Sequence, residues 1–218
     1  MPTVETILDQ LAAAANGAWG VAIAWHILVA ASLVALWVWG PPPRRIAAVA
    51  LAAPIASASL VAFAFKNPFN GTLLGGLAVA LTILGARLPL GRATPGPAWA
   101  RIGGLAMIAF GVFYPHFLGD ESPLAYLYAA PTGVIPCPTL ATVIGFALLG
   151  QGLDTRGWPL TLAGAGLFYG LFGVLRLGVW LDIPLLVGTA ALISIVWMRR
   201  PSSSAGPARG QLAPRLGL

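Results

Sequence analysis

The chain has 218 residues, 58% of them hydrophobic and only 8% charged, with 12 Lys and Arg against 6 Asp and Glu. Mean hydropathy is +0.87. A soluble domain carries roughly a quarter of its residues as charges, so this composition excludes one and calls for an integral membrane protein. The net charge of +6 would suggest nucleic acid in a soluble protein. Here the charges lie between apolar stretches and form no single basic surface, so the expected partner is the lipid bilayer and no nucleic acid is expected. The single cysteine, Cys137, excludes an internal disulfide and a thiolate metal cage within one chain.

Residues 1–17 carry Glu5 and Asp9 and no basic residue, unlike the positive start of a secretory signal, so this end reads as retained. Residues 3–14 are expected to form a short helix on the membrane surface. The apolar stretches that follow predict seven spans, at 17–39, 46–65, 71–88, 99–118, 133–152, 158–180 and 183–198. About 20 helical residues cross a hydrocarbon core of about 30 Å, and the third and seventh stretches are short by that measure. Proline and glycine mark the breaks: Pro41-Pro42-Pro43, Asn67-Pro68, Pro89 to Pro97, Gly119 to Pro123 and Gly150 to Gly157. The expected architecture is all-α, a polytopic transmembrane helical bundle over 1–198. A basic, disordered cytoplasmic tail is expected over 199–218.

Alternate connections collect Arg44, Arg45, Arg87, Arg92, Arg101, Arg156, Arg199, Arg200, Arg209 and Arg215 on one side, leaving Lys66 and Arg176, with Asp120 and Glu121, on the other. Positive charge stays in the cytoplasm, which predicts the N-terminus outside and the C-terminus inside. Gly71 with Gly75, and Gly166 with Gly170 and Gly173, have the small-xxx-small spacing that allows two helix backbones to approach. Trp25, Trp37, Trp39, Trp158, Trp180 and Trp197 read as anchoring aromatics near the interfaces.

This topology places the polar residues at one leaflet: Lys66, Asn67 and Asn70 after the second span, Tyr114 and His116 in FYPHFLGDE, PTGVIPCPT at 131–139, Arg176 and Asp182. Ionisable groups at membrane depth are costly and face a cavity or a partner. Pro136 and Pro138 cannot both continue a regular helix, so an extended or re-entrant entry is expected, with Pro138 at the first helical position. Thr132 and Thr139 can satisfy its backbone. Amides at the helix start would favour the thiolate of Cys137 where water reaches it.

Each polar residue has two readings. Cys137 is either the thiol of a polar vestibule or a small packed hydrophobe. His116 is either a ligand or an interfacial side chain. His26, about 14 Å below the outer surface, either serves a path or bonds a neighbouring carbonyl. Arg176 either binds an anion or snorkels and pairs with Asp182. One Cys and two His fall short of the usual four-ligand set, so no cofactor is predicted; a soft metal ion would need Cys137, His116 or His26 with additional groups or a second copy.

FKNPFN at 65–70 and PTGVIPCPT at 131–139 resemble the Asn-Pro and Pro-Cys-Pro-Thr motifs of a bacterial polytopic membrane protein family of unknown function. The Trp158-led span and the acidic Asp182 before the last helix are similar as well. The resemblance covers residues 10–198 and implies a membrane fold in the bacterial cytoplasmic membrane, with no activity to carry over. The residues themselves point to transport or sensing of a small ion or solute through a site near the outer leaflet. The alternatives are a structural or assembly subunit of a larger membrane complex, with homo-oligomers or complex partners, and a metal-binding or redox subunit. Paired carboxylates, a Ser-His-Asp set and a phosphate loop are all missing from the pattern, so no enzyme is predicted.

Overall fold

The computed structural model describes residues 3–118 and 123–198, and these form helices without a strand. The helices are α1 (Val4–Gly17), α2 (Trp19–Trp39), α3 (Arg44–Ala64), α4 (Pro68–Ala86), α5 (Ala98–Val112), α6 (Tyr126–Ala129), α7 (Pro136–Leu149), α8 (Gly157–Leu171) and α9 (Ile183–Met198). Their limits follow local chemistry. Thr3 caps α1 by accepting from the amide of Thr6. Gly40, at φ 71°, ends α2 ahead of the triple proline. Asn67 caps α4 by accepting from the Asn70 amide, with Pro68 in the first helical position, where its missing N–H costs nothing.

Among the described residues, five helical stretches are long and apolar enough to cross a membrane: Trp19–Trp39, Arg44–Ala64, Pro68–Ala86, Gly157–Arg176 and Trp180–Met198. The spans expected at 99–118 and 133–152 are shorter as helices, because α5 has 15 residues and α7 has 14. At 1.5 Å per residue these reach about 21–23 Å, short of the roughly 30 Å core. Pro115 cuts α5 short, since the residue before a proline is driven out of helical conformation.

The short α7 lies at the centre. Every one of its residues is buried except Cys137, Phe146 and Leu149, which are partly buried. Helices α3, α5, α8 and α9 pack around it. Helix α2 is the opposite case: Ala22 and Val29 alone are buried along it.

Both glycine series face a partner helix. Gly71, Gly75 and Gly85 of α4 lie against Phe63, Ser59 and Ala48 of α3, and Gly166 and Gly170 of α8 against Thr189 and Leu186 of α9. The close α3–α4 approach lets Ser59 Oγ donate to the carbonyl of Gly71 at 2.6 Å. Trp158 departs from its expected anchoring role. It is fully buried, with its indole N–H on the carbonyl of Leu81 at 3.1 Å. Trp25 is also turned inward, whereas Trp37, Trp39, Trp180 and Trp197 are exposed.

The connections at the arginine-rich end are tied together. Arg44 pairs with Asp154 at 2.7 Å, Thr94 donates to the same carboxylate at 2.6 Å, and Arg45 donates to the carbonyl of Leu88 at 2.6 Å. Asp120, Glu121 and the tail 199–218 lie outside the described residues.

Candidate functional site

At the other end of the bundle, residues 131–135 run non-helically into α7. Helix α7 starts at Pro136, two residues before the expected first position, and Pro138 lies inside its first turn. Both prolines fit because the first amides of a helix have no intrahelical acceptor to lose. The entry is braced from three sides. Thr139 Oγ1 accepts from the amide of Gly133 at 2.8 Å and donates to the carbonyl of Ile135 at 2.6 Å. Thr132 donates to the carbonyl of Gly111 at 2.7 Å. Ser57 donates to the carbonyl of Gly133 at 2.7 Å and accepts from the Trp25 indole at 2.9 Å. Gly133 sits at φ 74° with the Trp25 ring where a side chain would stand, so no other residue fits there without strain. These bonds satisfy backbone that lipid could not.

From this braced start Cys137 faces Asp182, in the turn before α9. The thiol donates to Asp182 Oδ2 at 3.2 Å, and the Tyr114 hydroxyl donates to Oδ1 at 2.7 Å. The thiol is thus bonded to a carboxylate; the thiolate was expected only where water reached the helix start. Gly173 makes room for this carboxylate: a Cβ there would overlap Asp182 Oδ2. It belongs to a π-helical turn, Phe172–Arg176, that extends α8, a distortion frequent at functional sites. Asp182 is 2% exposed. A carboxylate so buried is costly unless it is paired or hydrogen-bonded, and two neutral donors meet that need. The expected Arg176–Asp182 ion pair is not made among the described residues; Arg176 is exposed.

A cavity of about 320 Å³ opens beside this cluster. Its polar border comprises Asn67, Asn70, Tyr114, Cys137, Tyr169 and Asp182, with Arg176 and Gln10 also on it. Tyr169 donates to Asn70 Oδ1 at 3.2 Å, and Asn67 Oδ1 accepts from the Asn70 amide at 3.1 Å. Phe69, Phe117 and Phe172 supply much of the apolar wall. Helix α1, close to the surface helix expected at 3–14, places Ile7, Gln10 and Leu11 along the cavity. It is fastened by its far end: Ala14 and Ala15 are buried and Asn16 donates to the carbonyl of Phe117 at 2.8 Å.

No known protein family, curated protein or solved structure matches this chain. The residues themselves must carry any assignment.

The structure thus gathers Cys137, Tyr114, Asp182, Arg176 and Asn67 around one cavity and places the other candidates elsewhere. Thr132 and Thr139 serve the backbone of the entry. His116 is half-buried beside Phe117, with ring centroids 4.0 Å apart, and does not border the cavity. Burial lowers its pKa below the ordinary histidine value. His26 has a backbone carbonyl 2.8 Å from each ring nitrogen, Ala22 on Nδ1 and Val112 on Nε2. It joins α2 to the end of α5. Lys66 is exposed, at φ 58°, in the connection between α3 and α4. Among the described residues no three His, Cys, Asp or Glu side chains cluster closely enough to hold a metal ion.

Tyr169 and Gln10 were missed by sequence reasoning. Tyr169 stands one turn before Gly173 on α8, and a hydroxyl inside an apolar span was the available signal. Gln10 lies in a helix whose contact with the cavity no local pattern announces.

Proposed function

We propose that the Cys137–Asp182 cavity binds a small solute arriving from outside a bacterial cytoplasmic membrane, and that the chain transports or senses it. In this reading seven helices traverse the bilayer, α5 and α7 among them. The arginine-rich connections lie in the cytoplasm by the positive-inside rule, so the cavity faces outward. The resemblance read in residues 65–70 and 131–139, which no family model reproduces, adds neither location nor activity.

One observation carries the proposal. Asp182 is a buried carboxylate bordering a cavity, and among the described residues its side chain is hydrogen-bonded by a phenol and a thiol, with no cation. A carboxylate offers about four acceptor sites, so acceptor capacity remains for a ligand. The volume, near the lower limit for ligand pockets of about 300 Å³, suits a small molecule. An amine or hydroxyl turned to Asp182, with an apolar body along Phe69 and Phe172, uses both kinds of wall.

The test is protection of Cys137. Purified protein is treated with a maleimide in the presence of a panel of small amines, alcohols and zwitterions. A solute that occupies the cavity slows labelling, raises the melting temperature, and loses both effects in Asp182→Asn. If no solute on the panel protects Cys137, and its alkylation changes no binding or uptake, the cavity has no such role.

A further inference from the structure

At the arginine-rich end, about two helical turns of α2, from Ser32 to Trp39, stand off from α3 and leave a groove of about 620 Å³. Leu36 of α2, Ala50 and Leu51 of α3 and Leu149 of α7 are among its apolar walls. Two arginines that are exposed, Arg92 and Arg101, also line it. From these features we infer that the groove is a binding site for one anionic phospholipid, an acyl chain lying between α2 and α3 and the phosphate at Arg92 and Arg101.

Three observations support the assignment. First, α2 is attached by its other half and, at its last residue, through the Trp39 carbonyl to Arg92, with nothing in between among the described residues. Its buried residues are Ala22 and Val29, and its side-chain ties to the bundle are Trp25 to Ser57 and His26 to Val112. Among the described residues, nothing fills the space near Leu36. A gap between helices forfeits dispersion contacts along its whole lining, and an apolar lining does not hold water. In a bilayer the acyl chain is the available filler.

Second, the rim is built in place. Arg92 Nε donates to the carbonyl of Pro41 at 2.7 Å and its Nη2 to that of Trp39 at 2.8 Å. The backbone below is clasped by an antiparallel bridge: the Arg44 amide donates to Gly91 at 2.9 Å and the Ala93 amide to Pro42 at 3.0 Å. Arg92 is thereby fixed with Nη1 still open. Arg101 is exposed and makes no side-chain hydrogen bond or ion pair among the described residues, so its donors are free for a phosphate.

Third, the charge is complementary. The same end carries Arg45 and Arg87, and arginines at a cytoplasmic interface attract anionic headgroups. A zwitterionic lipid would fill the groove equally well but gain less at the rim.

Native mass spectrometry of the detergent-purified full chain tests this, with dioleoylphosphatidylglycerol or dioleoylphosphatidylcholine added at equal concentration. The anionic lipid should be retained in preference, with one lipid per chain at low excess. Arg101→Gln should weaken that preference roughly five-fold, the effect of one surface cation on an anionic lipid, and Arg101→Lys should keep most of it. Ala50→Phe, which fills the groove and leaves both arginines in place, should lower occupancy by either lipid. Equal retention of the two lipids, an unchanged preference in Arg101→Gln, or unchanged occupancy in Ala50→Phe would each overturn the inference. So would a change in oligomer mass in Ala50→Phe, which would mark the groove as a contact between copies.

Discussion

Tyr114→Phe removes one hydrogen bond from a carboxylate that is 2% exposed and leaves the ring in place. The edge-on contact with Phe110, centroids 5.4 Å apart, involves carbon atoms only, so packing should survive. A hydrogen bond to a charged group contributes about 1.5–3 kcal/mol, whereas neutral bonds between membrane helices average about 0.6 kcal/mol. For a chain of this length 1 kcal/mol moves the melting temperature by roughly 2–4 °C. The charged case therefore predicts a fall of about 3–12 °C, and the neutral case roughly 1–2 °C. The assay is a double-mutant cycle of apparent melting temperatures in detergent, combining Tyr114→Phe with Asp182→Asn. The amide oxygen of the second variant still accepts from Tyr114, but as a neutral partner. The Tyr114→Phe effect should then shrink to the smaller range, with a coupling of about 1 kcal/mol or more. Equal shifts in the two backgrounds would refute the view that Tyr114 compensates a buried charge.

Three further outcomes are expected. Thr139→Val strands the amide of Gly133, while the carbonyl of Ile135, the N-cap of α7, keeps the helical amide of residue 139; at about 1–3 kcal/mol for the one unsatisfied group, the melting temperature should fall by at least about 2 °C, and Thr139→Ser should restore most of it. Gly173→Ala pushes a methyl group into Asp182, whereas Gly103→Ala on α5 meets open space. The first should destabilise by about 1–3 kcal/mol and speed labelling of Cys137 by maleimide, and the second should be neutral or stabilising by up to about 1 kcal/mol. His116, whose pKa burial lowers, binds fewer protons folded than unfolded. Its contribution is therefore intact above about pH 6.5 and lost as pH falls through the folded value. His116→Gln should reduce the loss of melting temperature between about pH 7.5 and about pH 5.

The helices and their breaks were legible because apolar length and proline position are local properties. Five of the seven apolar stretches hold helices long enough to cross a membrane, the stretches 99–118 and 133–152 hold the shorter α5 and α7, and both glycine series face a neighbour. The lengths of α5 and α7 were less legible, since hydropathy reports apolarity and cannot tell a lipid-facing span from a helix buried in protein. The same ambiguity put Trp158 at an interface: a tryptophan near a helix end reads identically whether lipid or Leu81 lies beside it. Within the site, the expected outer cluster contained Cys137, Tyr114, Arg176, Asn67 and Asp182, all on one cavity. Which of them touch is a three-dimensional fact. Asp182 was expected to pair with Arg176, its nearest opposite charge in sequence. The turn at residues 177–181 instead brings its carboxylate under Gly173, where Cys137 and Tyr114 reach it from two other elements.

The shortness of α7 explains why the polar site lies where it does. In the proposed seven-span arrangement a helix of 14 residues leaves about 9 Å of a 30 Å core to be crossed by other means, and the non-helical residues 131–135 would fill that interval. Such backbone survives at depth only where protein or a cavity satisfies it. The satisfying groups, Thr132, Thr139, Ser57 and Trp25, must come from neighbouring elements, which holds those elements around the start of α7. Cys137 then faces Asp182, in the turn before α9, and the cavity bordered by Tyr169 and Gly173. The π-helical turn at 172–176 and Gly173 keep α8 from closing that side. The prolines that halt α7 and the glycine that admits Asp182 therefore belong to one arrangement: the first removes helix before Pro136, and the second preserves the space thus left.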